Sequence, residues 1–241
     1  MSNLLKFNLH NLFRQKSFYI SMIVIVLMSS LVLITPVIIG EIMHKSFDAI
    51  TLSSSLKTLT EPTGFKLLVG IFVSLFCTLD VANDTLKNII GRGFKRSNVY
   101  ITNFISSIIG TTVIYIGMIV ISIIISLIFG KMTGLSSTLF VKLLANYLII
   151  VACTSLYCLI SILINKTSGA LITCILINVL GSTFLTLFET LLSLKSKITI
   201  SDYWIGSIDS SKTLMAIIIS VIYIVGCLII GMILSKNKEI K

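Results

Sequence analysis

Residues Ser97–Gly130 read SNVYITNFISSIIGTTVIYIGMIVISIIISLIFG, 34 positions without an Asp, Glu, Lys or Arg. A helix rising about 1.5 Å per residue needs about 20 such positions to cross the hydrocarbon core of a bilayer. The stretch is therefore a membrane span with residues to spare, expected to tilt or to project from one face. Four further runs are uncharged throughout: Ser17–Gly40, Leu143–Asn165, Thr167–Phe188 and Thr213–Ser235. A sixth, Gly64–Val81, has only 13 uncharged residues between Lys66 and Asp80, and spans if both charges reach toward headgroups. The expected fold is an all-α polytopic membrane protein. A single domain covers 1–241, with six transmembrane helices near 17–40, 64–81, 97–130, 143–165, 167–188 and 213–235.

Composition agrees. Of 241 residues, 56% are hydrophobic and 12% charged, against roughly 45–50% and 25% in soluble domains, and mean hydropathy is +1.07. A water-soluble fold of this make-up would expose apolar patches that drive association. Disorder, a disulfide scaffold and a nucleic-acid-binding domain are excluded on the same ground. Cys77, Cys153, Cys158, Cys174 and Cys227 all lie in apolar runs without a C-x-x-C, and read as small hydrophobes. The first apolar run is too long for a cleaved signal and contains Pro36, so it reads as a retained span.

The net charge of +10 is unevenly spread. With both termini cytoplasmic, the short inner segments hold eleven of the 19 basic residues and three of the nine acids. The longer outer loops hold eight and six. This density favours a multi-pass cell-membrane protein with N- and C-termini inside.

Residues 1–16 form an amphipathic lead-in. Leu5, Leu9 and Leu12, with Phe13 beside them, share one helical face, and Lys6, His10 and Arg14 follow at i, i+4, i+8 on another. That is the pattern of a helix lying in the membrane interface before the chain turns inward at Gln15–Ser17.

Between the second and third spans the chain reads DVANDTLKNIIGRGFKRSNVY, Asp80 to Tyr100. Asn83 or Asp84 can cap a helix start. Leu86, Ile89 and Ile90 then fall at i, i+3, i+4, giving a one-sided apolar stripe on a helix of about two turns. Gly91 and Gly93 stop it, and Arg92, Lys95 and Arg96 cluster before the next span. An apolar stripe with basic flanks in a cytoplasmic loop suits either docking into a groove on a soluble partner or contact with lipid headgroups.

This segment resembles the loop of ATP-binding-cassette exporter permeases of the type-two fold. Those typically show an acid, then Gly-Thr-hydrophobic-Lys-Asn, a hydrophobic pair, and Gly-x-x-Arg before the third span. Asp80 corresponds to the acid, Thr85-Leu86-Lys87-Asn88-Ile89-Ile90 to the centre, and Gly93 and Arg96 to the trailing pair. Asp84 departs from the family's glycine, and Asn103 from a lysine that commonly follows. The resemblance implies that residues 83–96 are a coupling loop whose helix sits in a cleft of a separate cassette ATPase present in two copies, with Thr85 to Ile90 as the docking surface. It also implies a second permease, identical or paralogous, within the bilayer. ATP and Mg2+ would belong to the ATPase, with no cofactor, catalytic residue or metal on this chain and no nucleic acid as partner. A compact permease of this kind looks like those that expel amphipathic or antimicrobial peptides for export or self-immunity. Related folds handle small drugs, ions and lipid-linked substrates.

Two stripes of small residues recur at helical spacing: Ala170, Cys174, Asn178 and Ser182 in the fifth span, and Ser122, Ser126 and Gly130 in the third. Close helix packing explains both. A translocation path, if one runs through the chain, has the fifth-span stripe as its first lining. The outer loops 41–63 and 189–212 carry six acids, and Tyr203-Trp204 reads as an interface anchor.

Gly206-Ser-Ile-Asp-Ser-Ser-Lys212-Thr213 imitates a phosphate loop but has Ser211 where the glycine belongs, and no strand precedes it. The only histidines, His10 and His44, lack the spacing of an intramembrane zinc protease. An ion-coupled transporter keeps an ionisable group deep in the bilayer, whereas every charge here is expected at or beyond a span end. A non-transporting structural subunit stays open as an alternative.

Overall fold

The structure, a computed structural model, describes residues 2–42, 50–51, 56, 62–82, 89–131, 137–164, 166–191 and 213–237. Its helices are α1 (Ser2–Arg14), α2 (Lys16–Ile42), α3 (Pro62–Ala82), α4 (Arg96–Phe129), α5 (Ser137–Ile164), α6 (Thr167–Leu191) and α7 (Thr213–Asn237). The only strands among the described residues are β1 (Ile50–Thr51) and β2 (Gly130–Lys131), which pair in parallel beyond the end of α4. Stretches of α2, α4, α5 and α7 are long and apolar enough to cross a membrane, which marks the chain as a membrane protein. The apolar stretches of α3 and α6 are shorter, Phe65–Thr78 and Thr167–Gly181.

The helix that sequence makes the weakest span is the one the others surround. α3 packs against α2, α4, α5 and α6, and Val69, Phe72, Val73, Phe76 and Cys77 are all buried. Helices that touch only their neighbours need not be uniformly apolar, so α3 tolerates Ser74 and Thr78. Both hydroxyls donate back to carbonyls of their own helix, Thr78 to Ser74 at 2.6 Å and Ser74 to Ile71 at 3.0 Å. Lys66 follows the same logic and departs from expectation. Instead of reaching toward headgroups it lies inside the bundle, 2% exposed, so one charge does sit within a helix of the membrane domain.

Close approaches fix the bundle. Tyr157 of α5 lays its ring against Gly70 of α3, and Phe72 of α3 presses on Gly110 of α4. Cys77 of α3 lies 3.4 Å from both Ser107 of α4 and Cys158 of α5. The tightest approach joins α4 to α7. The Tyr100 hydroxyl donates to the Cys227 carbonyl at 2.9 Å, and its ring occupies the space where any side chain at Gly231 would stand. α7 is otherwise little enclosed, exposing Leu214, Ile218, Ile222 and Ile233 among others.

These contacts set the ends. α1, the starts of α2, α4 and α6, and the ends of α3, α5 and α7 gather at one end of the bundle. That end carries Lys6, Arg14, Lys16, Arg92, Lys95, Arg96, Lys166 and Lys236.

Gly231→Ala is expected to lower stability by about 1–3 kcal/mol through overpacking against a rigid ring. Combining it with Tyr100→Leu should give a loss smaller than the sum of the two single losses, measured by thermal unfolding in detergent. Additive losses would place Tyr100 elsewhere. Mild oxidation of the otherwise reduced protein should join Cys77 to Cys158, read by peptide mass spectrometry; a cross-link confined to other cysteine pairs would refute the α3–α5 register.

Candidate functional site

The segment after α3 is the site the sequence singles out. Asp80 falls in the last turn of α3. Asp84, Thr85, Leu86, Lys87 and Asn88 lie outside the described residues. Ile89, Ile90 and Gly91 form a helical turn. Of the two glycines, Gly93 ends it: its φ is +86° and its N–H donates to the Ile90 carbonyl at 2.9 Å. A left-handed residue that turns the chain off a helix in this way is a glycine C-cap.

Ile89 points inward rather than toward solvent. It is 7% exposed and forms a small cluster with Leu4 of α1 and Val99 of α4, with Phe94 packed alongside. Ile90 and Arg96 are half-buried, while Arg92 and Lys95 are exposed. The turn thus has an apolar underside held by the protein and a basic outer side. Lys95 accepts at its carbonyl from the N–H groups of Asn98 and Val99, opening α4.

What braces the turn is α1, a role the sequence did not assign to it. The expected apolar face was Leu5, Leu9, Leu12 and Phe13. The buried residues are instead Leu4, Asn8 and Leu12, with Leu5 and Leu9 half-buried and Phe13 44% exposed. The reason is the neighbour: α1 packs on the start of α4. Asn8, 2% exposed, donates through Nδ2 to Asn103 Oδ1 at 2.5 Å and contacts Thr102 Oγ1 at 3.3 Å. A polar residue inside an apolar helical face, with Thr102-Asn103 inside an apolar run, was the available signal for this pairing. Leu12 reaches further into the main core, against the Gly110 region. At Gln15 the helix breaks. The Gln15 N–H still donates to the Asn11 carbonyl at 3.0 Å, while its own carbonyl accepts from Phe18 at 3.2 Å, so α1 ends and α2 begins on either side of it.

The stripe on α6 is brought together by packing. Ala170 and Cys174 are buried where α6 meets α3 and α5. Asn178 donates to the Tyr157 hydroxyl at 2.6 Å; the side chain of Ser182 lies outside the described set. On α4, Ser122 and Ser126 are buried and donate to carbonyls of their own helix at 2.9 and 2.7 Å. Ala170, Cys174, Ser122 and Ser126 therefore face protein.

No protein-family model matches the chain, and no curated protein sequence is similar to it.

Because no atom lies near the position a Gly93 side chain would take, replacing it tests conformation alone. Gly93→Ala should cost about 1 kcal/mol, the order of the left-handed penalty, and Gly93→Asn less. Protease sensitivity at Arg92 and Lys95 reports it: faster cleavage in the alanine variant than in the asparagine variant is the expected result, and equal rates would exclude a positive φ as the reason for the glycine.

Proposed function

We propose that the chain is the membrane-spanning permease subunit of an ATP-driven exporter of the ATP-binding-cassette type. All six long helices would cross the bilayer, and the basic end would lie in the cytoplasm. The observation that carries this reading is the turn at Ile89–Gly93. Its apolar underside is clamped to α1 and α4, and its basic outer side faces away from the bundle. A surface element so held moves with α4 rather than independently of it. α4 in turn is keyed to α7 by Tyr100 and to α3 and α5 through Cys77 and Ser107. A push on the turn by a soluble ATPase would therefore reach the core of the bundle.

The charge distribution supports the orientation, since basic residues are retained on the cytoplasmic side. Enclosure of α3 supports its reading as a span despite a short apolar stretch: its length of roughly 30 Å suffices, and its polar groups meet protein instead of lipid. ATP and Mg2+ would be held by two cassette ATPase subunits, and a second permease, identical or paralogous, would complete the assembly. The substrate class that fits the compact form is an amphipathic or antimicrobial peptide, moved out of the cell or membrane; a drug, ion or lipid-linked substrate is the alternative. Switching between arrangements would alternate access.

Arg92→Glu combined with Lys95→Glu reverses the exposed charge without touching the buried underside. On co-expression with its cassette ATPase, this variant should reach the membrane in normal amount, lose at least about tenfold in ATPase co-purification, and fail to export. Undiminished co-purification and export would remove the turn as the docking surface.

A further inference from the structure

The face of α1 turned away from α4 is as organised as the face it buries. Lys6, His10 and Arg14 are exposed at i, i+4 and i+8, exposed Phe7 and Phe13 flank the ridge, and Lys16 is exposed at the start of α2. Packing of Leu4, Asn8 and Leu12 on α4 fixes this ridge outward. The ridge lies one residue, Gln15, from the helix that enters the membrane. The Phe13 ring stands edge-on to Phe18 of α2 at 5.7 Å, so the basic ridge begins where the apolar surface of α2 ends.

Among the described residues, the helices that α1 packs on bring no acid to this ridge. α1 contains no acid, and neither does α4, the helix it packs on most extensively; α2 has only Glu41, at its far end. Two fixed cations and a histidine on one helical face, rimmed by aromatic rings and followed by Lys16 at the start of α2, fit phosphodiesters at an acyl boundary: the rings insert beside the chains and the cations meet the phosphates.

We propose that this face of α1 is a binding surface for anionic phospholipid headgroups, which hold the N-terminal helix against the bundle. The assignment needs only that the chain sits in a membrane, and stands apart from the transport reading. The ridge is distinct from Arg92 and Lys95 of the turn, which carry that reading.

The test uses the full-length protein, released from detergent and examined by native mass spectrometry after exposure to phosphatidylglycerol or to phosphatidylcholine. The wild type should retain phosphatidylglycerol in preference, and the preference should fall as salt rises. K6A/R14A/K16A should lose it, by about fivefold for each charge removed, with thermal unfolding in phosphatidylcholine unchanged. Lys142→Ala, at the opposite end of the bundle, should keep the preference. Absence of a preference in the wild type, an unchanged preference in the triple variant, or equal loss in Lys142→Ala each overturns the proposal. An unchanged lipid preference together with lost ATPase co-purification would instead assign the ridge to a protein partner.

Discussion

The enclosure of α3 is the constraint on which the bundle depends. In hydrocarbon there is no water to satisfy a lysine, a hydroxyl or a close backbone approach. A helix carrying Lys66, Ser74 and Thr78 is stable only where other helices supply its surroundings. α2, α4, α5 and α6 do so, and the small residues at their crossings, Gly70 under Tyr157 and Gly110 under Phe72, let the backbones come close enough to exclude lipid. Removing α3 would leave the inner faces of four helices without a partner at once.

The same constraint explains the distribution of polarity among the other helices. Hydroxyls buried on α4 and α5, such as Thr111, Thr154 and Ser161, each donate to a carbonyl one turn earlier on their own helix. They need no partner across the interface, although Thr111 and Thr154 also meet at 3.2 Å. α7, which leans on α4 and α5 by one side only, is apolar over most of its surface. Polarity thus falls from the enclosed helix to the peripheral one. Packing between helices is left to shape, since lipid offers apolar side chains as good an environment as protein does.

This ordering also determines what could be read from sequence. An uncharged run is a property of the chain alone, so helix boundaries such as Arg96–Phe129 and Thr213–Asn237 followed closely from it. Enclosure is a property of neighbours. Lys66 looked like a charge at a span end because nothing in the sequence says that α3 is surrounded. The same blindness applied to α1: periodicity showed that one face is apolar, but the burial of Leu4 and Asn8 depends on Thr102, Asn103 and Ile89, more than eighty residues away. At the turn, the stop at Gly93 was legible because it is local. The inward aim of Ile89 was not, since the residue that receives it, Leu4, belongs to a helix read as lying on lipid.

α1 therefore joins two surfaces that sequence kept separate. Leu4 covers Ile89 beneath the turn, and the opposite side of the same helix carries the basic ridge. If the turn moves relative to α4, the Leu4–Ile89–Val99 cluster opens whether or not α1 goes with it, since Val99 belongs to α4. Exposing one such aliphatic side chain costs about 1.5–3 kcal/mol. Asn8 adds a second restraint of its own kind, because separating it from Asn103 leaves buried amides without partners. The cheaper motion carries the turn, α1 and the start of α4 together, and the break between α1 and α2 at Gln15 is one place where it can be absorbed. Coupling between sites is reciprocal: whatever holds the ridge of α1 in place must bias the position of the turn by the same free energy with which the turn biases it.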